Sequence, residues 1–160
     1  LSTRWTVRTG ETQTGGRIMI ADAIPQMEEL TDFQLRGEVL ICDDEPDICE
    51  ALAHFVKKRG FEPIVTHQGS ECVRLAFQER PMAILLDVNL PDSNGLDVCS
   101  QLTDAEQTSE IPIIILSANG CEDTVRQIRR SGARFYVRKP YDPNTVVAIL
   151  EKAVNDAQAW

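Results

Sequence analysis

Apolar residues gather in five short runs: Val39–Cys42, Pro63–Val65, Met82–Leu86, Ile111–Leu116 and Phe135–Val137. Each has the length of a strand. Between and after them the apolar positions recur at helical spacing, over Asp47–Arg59, Ser70–Glu79, Gly95–Leu102, Glu122–Ser131 and Asn144–Ala157. In the first of these, Ile48, Leu52, Phe55 and Val56 predict one buried helix face. Lys57, Lys58 and Arg59 then place cations in its last turn, and Gly60 follows as the C-terminal stop. Asp142–Pro143 is a start signal for the last helix. Strands alternating with helices predict an α/β fold: a doubly wound, five-stranded parallel sheet with helices on both faces. The unbroken apolar runs Met82–Leu86 and Ile113–Leu116 suit strands covered on both sides.

This pattern starts at Glu38. Residues 1–37 are richer in Thr and Gly, with a strand-like run at Arg17–Ala21 and an amphipathic stretch at Ile24–Leu35. They are expected to be an N-terminal extension, a linker or the tail of an upstream domain, with one domain over 38–160. The chain begins at Leu1 without an initiator methionine, so a piece of a larger protein is expected.

A net charge of −9 disfavours direct binding to nucleic acid or to an anionic membrane surface. No stretch approaches the ~20 apolar residues that span a bilayer. The five cysteines form no CxxC pair, and His54 and His67 are not spaced to complete a zinc site. Small buried thiols in a reducing, cytoplasmic setting are expected.

In an open sheet of this kind ligands bind beyond the carboxyl ends of the strands. The first strand ends at Asp43 and Asp44, the third at Asp87 and the fourth at Ser117; the fifth leads through Arg138 to Lys139–Pro140. Alone, each has a plain explanation as a turn former or helix cap. Together they bring three carboxylates, a hydroxyl and an ammonium to one edge. Carboxylates about 5 Å apart at a dielectric of about 20 repel by about 3 kcal/mol per pair. A proton or a cation must offset that, and an all-oxygen donor set favours Mg²⁺. Metal, ammonium, hydroxyl and carboxylate nucleophile are what phosphoryl transfer requires.

The segments VLICDDEPDI, ILLDVNLPDSNGLDV, IIILSANG and FYVRKPYD resemble the receiver domains of response regulators and hybrid sensor kinases. The gaps of 43 residues from Asp44 to Asp87, 30 to Ser117 and 22 to Lys139 are similar too. The resemblance implies a CheY-like sheet of order 2-1-3-4-5 and a two-component phosphoacceptor, not an enzyme of general turnover. Asp87 would accept the phosphoryl group. Asp44 and Asp87 would bind Mg²⁺ directly, Asp43 through water, and the Asn89 carbonyl would complete the metal site. Ser117 and Lys139 would hold the phosphoryl oxygens, with a cis Lys139–Pro140 bond. Ser117 and Tyr136 would form the switch, and Asn89 and Asn119 would tune the phosphoryl lifetime. The donor would be a histidine kinase or a His-phosphotransfer protein. The face of the fourth helix, fifth strand and fifth helix, with Arg126, Arg129 and Arg130, would meet an output domain or a second copy. A haloacid-dehalogenase-like phosphohydrolase fits less well, because its nucleophile follows the first strand. A flavin site fits less well, because DDEPD repels phosphate. A non-phosphorylated interaction module would not need the full acidic and lysine set.

Overall fold

The computed structural model describes residues 35–159. Arg17–Ala21 and all of Ile24–Leu35 except Leu35 lie outside the described residues.

The chain alternates strictly: β1 (Glu38–Cys42), α1 (Pro46–Lys58), β2 (Glu62–Thr66), α2 (Gly69–Glu79), β3 (Ala83–Asp87), α3 (Gly95–Asp104), β4 (Ile113–Ser117), α4 (Glu122–Arg130), β5 (Phe135–Arg138) and α5 (Pro143–Gln158). The five strands form one parallel sheet in the order β2-β1-β3-β4-β5. The predicted fold is thus the observed one. Pro63, which has no N–H for a ladder, lies on the edge strand β2.

Side chains alternate across each strand, so the sheet carries a core on each face. Val39, Ile41, Leu85 and Leu116 pack with Leu52 and Val56 of α1 and Val147, Leu150 and Val154 of α5. Leu40, Cys42, Ile84, Leu86 and Ile115 pack with Cys72 of α2, Leu102 of α3 and Ile128 of α4. Ile84, Leu85 and Leu86 are completely buried and run directly into Asp87.

The buried face of α1 differs from the periodicity reading at three positions. Cys49, Leu52 and Val56 are its buried residues. Ile48 and Phe55 are only partly buried at the margins of that core. Buried thiols are expected from the sequence, and Cys49 is one of them, its thiol donating to the Asp43 carbonyl. The helix ends in a Schellman motif: the Gly60 N–H bonds Lys57 O at 2.9 Å and the Phe61 N–H bonds Val56 O at 3.3 Å. Asp142 caps α5 by accepting the Asn144 N–H at 2.9 Å, as expected.

Candidate phosphoacceptor site

The ladder register decides which strand ends meet. Asp87 pairs with Leu116, and Ser117 pairs with Arg138. The residues after β1, β3, β4 and β5 therefore share one rim. A backbone bond from Lys139 N–H to Ser117 O at 2.8 Å carries the ladder one step into the β5–α5 loop. The Lys139–Pro140 bond is cis, as expected.

Asp43, Asp44 and Asp87 each offer a carboxylate oxygen, and the three oxygens lie within 4.8 Å of one another. Asp43 and Asp87 are buried, whereas Asp44 is exposed. Asp43 is held tightly. Its Oδ1 accepts the Glu45 N–H at 3.0 Å, and its Oδ2 accepts the Lys139 ammonium at 2.8 Å. The same ammonium stands 3.4 Å from Asp87 Oδ2 and 3.6 Å from Glu45 Oε1.

The charge balance is unequal. Burial, followed by the negative charge of Asp43, pushes the Asp87 carboxyl above its ordinary range. Lys139 and a backbone hydrogen bond from Asn89 pull it partly back. For Lys139 burial works against the charged form, but the hydrogen bond to Asp43 and the charges of Asp43 and Asp87 outweigh it and raise its pKa. One ammonium faces three clustered carboxylates, so the rim has room in its charge balance for a further cation. The donors are all oxygens, two of them on buried side chains, which suits a hard divalent ion such as Mg²⁺.

The remaining expected residues lie on β5 and on the ends and loops of β3 and β4. Asn89 is exposed in the β3–α3 loop, where it bridges to Asn94. That loop is closed by the Gly95 N–H on Val88 O at 2.7 Å. Gly95 has to be a glycine: a Cβ there would lie 2.0 Å from the Asp87 carbonyl oxygen. Ser117 is buried, and its hydroxyl is engaged with the β4–α4 loop rather than with Asp87. It donates to Asn119 O and accepts from the Asn119 N–H, both at 3.2 Å. Asn119 is exposed. Tyr136 is half-buried against the core on the α4 side, and a Cβ on Gly120 would lie 3.0 Å from its hydroxyl. The hydroxyl therefore sits directly over the loop that holds Ser117.

Several participants left no mark in the periodicity. Glu45 adds a carboxylate to Lys139. The Nδ1–H of His67 donates to Asp43 O at 2.8 Å, and the Cys49 thiol donates to the same carbonyl at 3.3 Å. Beside the rim, a cleft of about 500 Å³ opens between Asp47, Ile48 and Ala51 of α1 and Lys139, Pro140 and Tyr141. The Tyr141 hydroxyl is buried there without a hydrogen-bond partner among the described residues. Burial, chiefly, raises its pKa to about 12.

Among the described residues, no helix is long and apolar enough to cross a membrane. Four cysteines are buried, Cys121 is exposed, and all five are free thiols.

Comparison with known proteins agrees with this geometry. The chain is 36% identical over 114 residues to the protein PilH of Pseudomonas aeruginosa, a match covering 71% of this chain and 94% of PilH. It is 37% identical over 116 residues to the DNA-binding response regulator MtrA of Mycolicibacterium smegmatis. That match covers 71% of this chain but 49% of MtrA, so the chain spans about half of that relative. A solved receiver domain of a sensor histidine kinase from Pseudomonas aeruginosa, with a magnesium ion coordinated in its active-site cleft, aligns with a TM-score of 0.69 and 25% identity. The alignment covers 74% of this chain and 98% of that domain. Residues 39–151 match the response regulator receiver domain, and with these relatives the match establishes that the chain belongs to that family, the CheY-like phosphoacceptor domains of two-component signalling.

Proposed function

We propose that Asp87 is the phosphoacceptor and that the donor is the phosphohistidine of a histidine kinase or His-phosphotransfer protein. One Asp87 carboxylate oxygen forms a bond to phosphorus, the P–N bond to the donor histidine breaks, and an acyl phosphate results. The observation that carries this reading is the Lys139 ammonium, placed between Asp43 Oδ2 and Asp87 Oδ2 at 2.8 and 3.4 Å. It compensates the buried carboxylates now and can follow the phosphoryl oxygens afterwards.

Asp44, Asp87 and the Asn89 carbonyl would hold Mg²⁺ directly, with Asp43 acting through water. When bound, the ion neutralises phosphoryl oxygen charge during transfer. Asp43 meanwhile fixes the position of Lys139. Ser117 must release Asn119 to reach a phosphoryl oxygen. Because Tyr136 rests over Gly120 in the same loop, that release frees the ring to turn inward. Phosphorylation would thus reshape the α4–β5–α5 face, read by an output domain, another protein or a second copy. Arg129 and Arg130 are exposed on it, while Arg126 pairs with Asp123 at 3.0 Å. The apolar cleft beside Lys139 offers the donor a place to rest. Residues 1–37 would connect this domain to the remainder of a larger regulator or hybrid kinase.

The test is intact-mass measurement after incubation with acetyl phosphate and Mg²⁺. The wild type should gain one phosphoryl group and Asp87→Asn none. An equal gain in both proteins would overturn the assignment of Asp87.

A further inference from the structure

The β3–α3 loop, which carries Asn89, ends in a contact that the proposed chemistry does not use. Asp92, near its tip, accepts the Gly69 N–H through Oδ1 at 2.7 Å and the Ser70 N–H through Oδ2 at 3.0 Å. These amides open α2, whose own N-cap residue, Gln68, makes no side-chain cap. The helix is therefore capped from another loop, by a residue 23 positions away in sequence. Two amides on one carboxylate, at the positive end of a helix, form a charge-assisted tie. Those amides hold the Asp92 carboxyl down at about 2, so it stays ionised at neutral pH.

The fit is close as well as polar. A Cβ on Gly69 would meet Ser93 Oγ at 2.0 Å, Val98 Cγ2 at 2.9 Å and Leu90 Cδ1 at 3.2 Å. A larger residue at this position would force the side chains of Ser93, Val98 and Leu90 to shift. The other side of the β2–α2 loop is fastened to the acidic pair: His67 Nδ1–H donates to Asp43 O at 2.8 Å, and the Asp43 N–H donates to Thr66 O at 3.3 Å. The β2–α2 loop is thus a brace. One end grips Asp43, and the other grips the loop bearing Asn89.

We propose that Asp92 is a positioning residue for the metal pocket: by tying the β3–α3 loop to the start of α2, it sets the distance between the Asn89 carbonyl and the Asp43–Asp44 pair. This rests on the metal-binding reading above. It assigns Asp92 no contact with the metal or the phosphoryl group. Removing a residue that orients metal ligands commonly costs tenfold or more in affinity; for this more remote tie a loss of roughly fivefold is expected.

The experiment titrates Mg²⁺ into the whole chain, following backbone amide NMR signals of Asp44 and Asn89, and records Tm for each variant. Asp92→Ala should weaken Mg²⁺ roughly fivefold and lower Tm; Asp92→Asn, which keeps one acceptor, should fall between. The deciding variant is Asp92→Ala combined with Gln68→Ser, which supplies a cap from within the α2 segment but no bridge between loops. Tm recovering while Mg²⁺ affinity stays low supports the brace. Affinity recovering together with Tm overturns it, since helix stability alone would then be the cause. Unchanged affinity in both single variants overturns it too. Should Asp92→Ala fail to fold, Asp92→Asn with and without Gln68→Ser carries the same comparison. A wild type that binds no Mg²⁺ would instead refute the underlying metal site.

Discussion

Lys139 and Asp43 form a buried ion pair, Nζ to Oδ2 at 2.8 Å, with no exposure left on the Asp43 side chain. The pair joins the end of β1 to the loop after β5, at nearly opposite ends of the described chain. Everything proposed for this rim depends on that ammonium staying charged. Its pKa is raised, so its contribution to stability is complete below the ordinary value of 10.5 and is lost only as pH climbs through the raised value.

Lys139→Gln leaves Asp43 and Asp87 facing each other without a cation. Breaking a buried pair in this way costs about 3 kcal/mol. Urea unfolding without metal should show a loss of that order. Added Mg²⁺ should return more stability to the variant than it adds to the wild type. An unchanged midpoint would mean that the pair contributes nothing net.

Asp87→Asn should stabilise the metal-free protein by about 1–2 kcal/mol at neutral pH, because it removes a buried, repelled charge. The pH dependence has a definite sign. A carboxyl raised above its ordinary 3.8 holds its proton longer in the folded than in the unfolded chain. Stability therefore falls as pH rises from about 3.8 through the folded value. The gap between variant and wild type should open across that window. A gap constant with pH would show that Asp87 does not titrate abnormally.

Ser117→Ala should still be phosphorylated on Asp87, but more slowly by about a hundredfold to a thousandfold, the usual effect of losing one donor to a developing anion. The coupling to Tyr136 should suffer separately. Ring signals of Tyr136 that shift on adding beryllofluoride in the wild type should not shift in the variant. An equal shift in both would disconnect the hydroxyl from the ring.

Asn89 and Asn119 are both exposed, and on the proposed reading they flank the water approach to an acyl phosphate on Asp87. Replacing either side chain with Ala should change the acyl phosphate half-life several-fold while altering its rate of formation less. Following decay by radiolabel or mass after removing the donor checks this, and identical half-lives in all three proteins would remove the role.

How much of this was legible beforehand follows from the physics of each feature. The strands could be found because each is a run of apolar residues covered on both faces, and the site because strand ends are fixed by where such runs stop. Asp43, Asp44, Asp87, Ser117 and Lys139 were all reachable that way. Burial of Cys49 was expected of a thiol, but its place on the α1 face was missed because Ile48, one residue earlier, fits the same spacing. Glu45, His67 and Asp92 escaped because their partners belong to other loops, and loop contacts leave no period. The engagement of Ser117 with Asn119 was equally invisible, since a rotatable hydroxyl chooses its partner only in three dimensions.

The packing of β3 has a further consequence. Ile84, Leu85 and Leu86 are clamped between two cores immediately before Asp87. A reaction at Asp87 cannot push downward into the sheet, so its mechanical effect must spread sideways along the rim.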